Sequence, residues 1–273
     1  MKTLVIANQK GGVGKSALVG QFALYAGKSG LKVLVVDLDH QANTTNALRR
    51  NPIVKVLEQA SSTLISNSDS VLSPPNVAVA LVGADDSLGG LERRSEHHNR
   101  FATTFRRVIE TASGFDLCVI DTNPNPDIRY ACALVTADYV LSPIQLTQEA
   151  LDGIGGVLNH PRYGLARVRE TLNPKLVFLG LLPNLFEKTP FQRRNLELIL
   201  SRYGNRLLTD DRCQPPQPLA LPTRTAIAEA QAAGLFVGEM TKSSARDAWR
   251  EMKPIFDTLL YRMGLSAPSR FPR

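Results

Sequence analysis

Gln9-Lys10-Gly11-Gly12-Val13-Gly14-Lys15-Ser16 decides how this chain is read. It follows the apolar run Leu4-Val5-Ile6-Ala7 and opens a helix-like segment at residues 17–26. A short buried strand, a glycine turn and a helix start together form a phosphate cradle. Glycines remove the Cβ atoms that would hold a polyanion away, and the turn aims successive backbone N–H groups inward. The helix N-terminus adds roughly half a positive charge. The cradle comprises Lys10, Gly11, Gly12, Val13, Gly14, Lys15, Ser16 and Ala17. Lys15 reaches for terminal phosphates, and the Ser16 hydroxyl is a magnesium ligand in such a loop.

The usual phosphate-loop pattern has a glycine five residues before Gly14, where this chain has Gln9. A second lysine, Lys10, opens the glycine run instead. Lys-Gly-Gly-Val-Gly-Lys-Ser in this form resembles the deviant Walker A loop of the ParA/MinD group of ATPases. A rival reading exists. Gly12-Val-Gly14-Lys-Ser-Ala17 also fits the dinucleotide fingerprint, with Asp37 about 20 residues on, where a ribose-binding acid belongs. A dinucleotide site, however, has no use for the Lys15-Ser16 pair or for further acids, Asp39 and Asp121, after apolar strands. Binding of ATP against NAD separates the two.

Residues 2–8 read as a buried parallel strand and 32–38 as its neighbour after one crossover helix, a βαβ unit that delivers Asp37 and Asp39 to the carboxyl edge of a sheet. Asp37-Leu-Asp39-His40-Gln41-Ala-Asn43-Thr44-Thr45 resembles the second ParA signature, usually written Asp-x-Asp-Pro-Gln, with His40 in place of the proline. Residues 54–59 are expected to be helical, 76–82 a strand, and 91–111 one or two helices with a basic, polar face. His97 and His98 are expected on the surface. Phe115-Asp-Leu-Cys-Val-Ile-Asp121 has the Walker B layout, an apolar strand ending in an acid that serves magnesium. The following Thr122-Asn-Pro124-Asn-Pro126 departs from the Cys-Pro-Pro-Ser that ParA relatives usually show. Residues 175–183 read as another central strand, and Asn184 at its end stands where ParA-like proteins contact adenine. No Asn-Lys-x-Asp run for guanine is present, so ATP is the expected nucleotide. Residues 191–203 form an amphipathic helix carrying Arg193, Arg194 and Arg202. After a proline-rich loop at 210–222, the segment around Arg224 resembles the family's Pro-x-Arg-x-x-x-x-Glu-Ala. A last helix at 243–263 sets Lys242, Arg246, Arg250 and Lys253 along one side, either a polyanion surface or a solvated face.

The 273 residues carry a net charge of +7, with a pI near 9.5, a balance that suits a polyanionic partner such as nucleic acid. Three cysteines without a C-x-x-C pair read as reduced core residues of a cytosolic protein. No apolar run approaches a membrane span.

The fold expected is one α/β domain over 1–264, a doubly wound, mostly parallel sheet flanked by helices, with a short tail at 265–273. The resemblance implies an ATPase in which Lys10 crosses to a partner subunit's phosphates and Lys15 neutralises the transferred phosphoryl. Ser16, Asp37 and Asp121 would serve Mg2+, and Asp39 would position the attacking water. It further implies slow, partner-stimulated hydrolysis, an ATP-dependent homodimer and non-specific binding of double-stranded DNA through the eight basic residues named above. A ParB-like centromere-binding partner, a cytoplasmic, nucleoid-associated location and a role in plasmid, integrative-element or chromosome partition complete the expectation. A ParA-like ATPase that positions a protein cargo shares every motif. A MinD-like membrane ATPase would need an amphipathic tail, which the prolines of 264–273 disfavour. The chain starts at its first strand, so an N-terminal helix-turn-helix is not expected.

Overall fold

The computed structural model describes residues 1–187 and 189–265, the side chains of 150–152 excepted. Strand and helix alternate as the hydrophobic pattern requires: β1 (Lys2–Ile6), α1 (Lys15–Lys28), β2 (Val33–Asp37), α2 (Asn43–Leu48), β3 (Val54–Val56), α3 (Ser61–Ser66) and β4 (Val79–Val82). After two 3-10 turns come α4 (His98–Thr111), β5 (Leu117–Asp121), α5 (Ile128–Thr136), β6 (Tyr139–Ile144), α6 (Gln148–Asn159), α7 (Leu165–Thr171) and β7 (Val177–Phe186). The last stretch holds α8 (Pro190–Tyr203), the short strands β8 (Thr209–Asp210), β9 (Gln217–Pro218) and β10 (Leu221–Pro222), then α9 (Thr225–Ala233) and α10 (Ser243–Arg262).

Eight strands form one sheet in the order β10-β7-β6-β1-β5-β2-β4-β3, and every pairing within it is parallel. The central strands are apolar on both sides because both sides are covered. Leu4, Ile6, Val33, Val35, Leu117 and Val119 face α1, α9 and α10, while Val5, Leu34, Val36, Cys118 and Ile120 face α3, α4, α5 and α7. This period-2 division is what a doubly covered sheet imposes on each strand. Phe22 and Tyr25 of α1 meet Phe256 of α10 at ring-centroid separations of 5.3 and 5.8 Å, which fixes the last helix to the first.

β1 lies between β5 and β6. The chain leaves β1 through α1 on one face and passes from β5 to β6 through α5 on the other, so the strand order reverses at β1. A ligand crevice opens beyond the carboxyl ends at such a switch point.

Three expectations need correction. Residues 54–59 are not helical: Val54–Val56 pairs with β4 as an edge strand, its alternating valines suiting a pleat. The proline-rich stretch 210–222 is not all loop, since Leu221–Pro222 pairs with β7 and extends the sheet. His97 is exposed as expected, but His98 is buried, its Nε2 3.1 Å from the Glu92 carbonyl oxygen. Cys118 and Cys132 are buried and unbridged, and Cys213 is partly exposed. The tail beyond Leu265 lies outside the described residues.

Candidate nucleotide site

The glycine turn is held from three directions. Gly12 and Gly14 have φ of 74° and 83°, left-handed values that glycine adopts without a Cβ penalty. A Cβ on Gly14 would also lie 2.4 Å from Asn184 Nδ2. Asn184, at the carboxyl end of β7, donates from Nδ2 to the Val13 carbonyl at 2.7 Å. Gln145 Nε2 donates to the Gly12 carbonyl at 3.1 Å. Asn8 accepts from the Lys10 N–H at 2.8 Å and donates to the Pro143 carbonyl at 2.8 Å, tying the turn to the end of β6. Asn8 carries no motif signal of its own.

Inside the turn, the buried Lys15 folds back so that Nζ donates to the Lys10 carbonyl at 3.1 Å. Burial pushes the Lys15 ammonium below its ordinary range, opposed by the charges of Asp121 and Asp39. The Lys10 ammonium donates instead to Thr147 Oγ1 at 3.2 Å, in the segment that leads into α6.

Adjacent pairing of β2 and β5 places Asp37 directly beside Asp121, and neither side chain is exposed. Asp37 is fully engaged: Oδ1 accepts from the Asp39 N–H at 3.1 Å, and Oδ2 accepts from the Thr45 N–H at 2.8 Å and the Thr45 hydroxyl at 2.7 Å. It fixes the loop that carries Asp39. Asp121 Oδ2 accepts from the Thr44 hydroxyl at 2.7 Å, whereas Asp121 Oδ1 is buried without a hydrogen-bond partner. Burial raises both carboxyls, Asp37 to about 7 with the charge of Asp121 adding to the rise. Asp121 reaches about 6, held down by the hydroxyls of Thr44 and Ser16 and by Lys15. Thr44 and Thr45, in the first turn of α2, thus join the candidate site; the signature stretch contains them, but its pattern gave them no role.

Asp39 accepts from the Gln41 N–H at 3.0 Å and lines a cavity of about 460 Å³ with Lys15, Ser16, Pro124 and Asn125. Among the described residues no group of three or more His, Cys, Asp and Glu side chains is arranged to hold a metal alone. Magnesium in a phosphate loop needs few protein ligands, since phosphate oxygens and water complete its shell. The orphaned Asp121 Oδ1 beside Ser16 fits that role. Next to this cavity lies an apolar one of about 330 Å³, lined by Ala17, Leu18, Leu185, Leu221, Ile227 and Met252, with Asn184 at its edge.

The basic candidates are divided. Arg193, Arg194 and Arg202 are exposed on α8, whose buried Ile199 packs with Ile144, Leu146 and Leu181 beside α6. Arg224 and the row on α10 belong to the opposite face. Four of them are ion-paired there: Arg224 with Glu251, Lys242 with Glu229, Arg250 with Asp247 and Lys253 with Asp257. Arg246 is exposed with no acidic partner among the described residues.

A family model described as an AAA domain, AAA_31, matches residues 1–178. Protein IncC of Escherichia coli is 31% identical over 97% of this chain and 71% of its own length. The chromosome-partitioning ATPase Soj of Thermus thermophilus is 28% identical over 89% of this chain and 90% of its own. Among solved structures, the ATP complex of an McdA variant from Cyanothece is similar with a TM-score of 0.78 at 20% identity, covering 99% of both chains.

Proposed function

Because the chain belongs to the AAA-domain family AAA_31, as a P-loop ATPase of the ParA/Soj type, we propose that it binds ATP with magnesium, dimerises on ATP and hydrolyses it slowly. The dimer binds duplex DNA without regard to sequence and partitions or maintains a plasmid, an integrative element or a chromosome. The observation that carries this reading is the convergence of Lys15, Ser16 and Asp39 on one cavity in front of the glycine turn, with the orphaned Asp121 oxygen beside it. A partition role is supported by the name of the Thermus relative.

In this reading the backbone N–H groups of residues 11–17 cradle the phosphates. Lys15 gives up its bond to the Lys10 carbonyl and meets the terminal phosphate, where its buried charge acts in a low dielectric. Ser16 and Asp121 would hold magnesium; Asp37, expected beside them as a ligand, has both carboxylate oxygens engaged and instead keeps the loop in register. Magnesium would neutralise charge on the phosphate oxygens. Asp39 positions the attacking water. Asn184 and the apolar cavity receive the adenine. Lys10, tethered to Thr147 in the single subunit, crosses to the partner's nucleotide in the dimer. P-loop enzymes without a full set of transition-state cations turn over at about 10⁻⁴ to 10⁻² per second. A ParB-like, centromere-binding protein supplies the stimulus, and the ATP form resides on the nucleoid in the cytoplasm.

A nucleotide titration tests the core of this reading. Purified protein binds ATP with magnesium in preference to GTP and NAD, and Lys15→Ala weakens ATP binding by about 10- to 100-fold, the range for a lost hydrogen bond to a charged group. Equal or tighter binding of NAD would end the ATPase reading.

A further inference from the structure

His40 occupies the position where the resembling signature has proline, and its ring stands between two charged groups. Its Nδ1 lies 3.0 Å from Arg129 Nη1 and 3.6 Å from Asp39 Oδ1. Arg129 is nearly inaccessible, with a side chain 5% exposed, and its guanidinium is gripped by Asp127 through Nε and Nη2. Asp127 is itself held: it caps α5 by accepting from the N–H groups of Arg129 and Tyr130, and it accepts from Asn123 Nδ2 at 3.0 Å. The donor at His40 Nδ1 is therefore a fixed cation on a rigid support.

The hydrogen-bond chemistry decides the tautomer. A guanidinium only donates, so His40 Nδ1 must present its lone pair, and the proton of the neutral ring sits on Nε2. The exposed Gln41 amide, whose nitrogen is placed 3.0 Å from that Nε2, must then turn over so that its oxygen accepts the proton. In that tautomer the ring has no proton to give Asp39. Freed from Arg129, the same ring can carry its proton on Nδ1. Closing the 3.6 Å separation by about 0.7 Å would then let it donate to the Asp39 carboxylate. A carboxylate so engaged is a poorer acceptor for a water proton.

We propose that Arg129 is a positioning residue for hydrolysis: through Nδ1 it holds the His40 ring in the tautomer that leaves the Asp39 carboxylate open to water. The proposal rests on the reading of Asp39 given above. It also links the loop after β5, whose Pro124 and Asn125 line the phosphate cavity, to the loop after β2 that carries Asp39.

Single-turnover ATP hydrolysis and ATP affinity of wild type, Arg129→Gln, the double variant Arg129→Gln/His40→Ala, and Asp39→Ala test it. Arg129→Gln lowers the hydrolysis rate by about tenfold or more with ATP affinity unchanged. Removing the ring in the double variant restores most of that rate. If Arg129 served only to brace α5 and Asp127, the double variant would be as slow as the single one, and that result, or a wild-type rate in Arg129→Gln, overturns the proposal. Asp39→Ala hydrolysing at the wild-type rate would instead remove the premise about Asp39. A nitrogen-15 NMR spectrum of histidine-labelled wild-type protein, with His40→Ala for assignment, reads the tautomer even if an Arg129 variant fails to fold. The expected signals are a protonated Nε2 and an unprotonated Nδ1, and a protonated Nδ1 overturns the assignment.

Discussion

At Asp37 and Asp121 two carboxyls share one buried spot, and the consequence is a stability that depends on pH. An acid raised by burial stays protonated in the folded state at pH values where the unfolded chain has already ionised. Between roughly pH 4, the unfolded value, and about 6 to 7, the folded state binds more protons, so stability falls as pH rises through that window. The nucleotide-free protein is expected to melt at progressively lower temperature from about pH 4 to about pH 7 and to level off above it. Asp121→Asn, which puts an amide N–H at the orphaned Oδ1 position, flattens that fall and melts higher than wild type at the alkaline end. Scanning calorimetry across pH checks this, and a wild-type melting temperature that rises over the window contradicts it. Lys15, Ser16 and Asp39 were legible in the sequence because each sits in a contiguous pattern whose chemistry demands that residue type. Thr44, Asn8, Thr147 and Arg129 were not. Their importance comes from the atom each meets across the sheet edge, and no spacing along the chain encodes that register. His98 illustrates the same limit, since a histidine pair in a charged stretch gives no sign of which ring turns inward.

The elements divide the same way. Long apolar strands followed by amphipathic helices announced the parallel sheet, because only a strand covered on both faces has apolar residues on both. The three-residue β3 and two-residue β10 did not announce themselves, being edge pieces defined by a neighbour's free hydrogen-bonding groups. On α10, the row of cations that spacing alone sets along one side is chemically uneven. Lys242, Arg250 and Lys253 each spend their charge on an adjacent acid, while Arg246 does not. If this helix meets DNA, Arg246→Ala reduces the slope of log affinity against log salt by about 0.9, the value for one phosphate contact. Arg250→Ala changes the slope less, because its contact must first displace Asp247. A salt titration of the two variants on the same duplex decides it; equal effects would show that the ion pair does not hold the arginine back.

Across the whole molecule, α8 and α10 lie on opposite faces of the sheet, so a single subunit cannot offer both sets of arginines to one straight duplex. In the proposed reading, affinity for DNA would come from doubling one set in a dimer. Each phosphate neutralised multiplies into the binding constant, and a twofold increase in contacts turns weak binding into measurable binding at a given salt concentration. The net charge of +7 supports such a surface without locating it. In the proposed reading nucleotide is then the switch for DNA: ATP would join two subunits across the cradle, and hydrolysis assisted by Asp39 would release them. The most direct measurement is a salt titration of Asp39→Ala protein on random-sequence duplex DNA, with and without ATP and magnesium. The account predicts tight binding with ATP that weakens steeply as salt rises, and little binding without it. Equal affinity in the two conditions, or no binding near physiological salt when ATP is present, would contradict it.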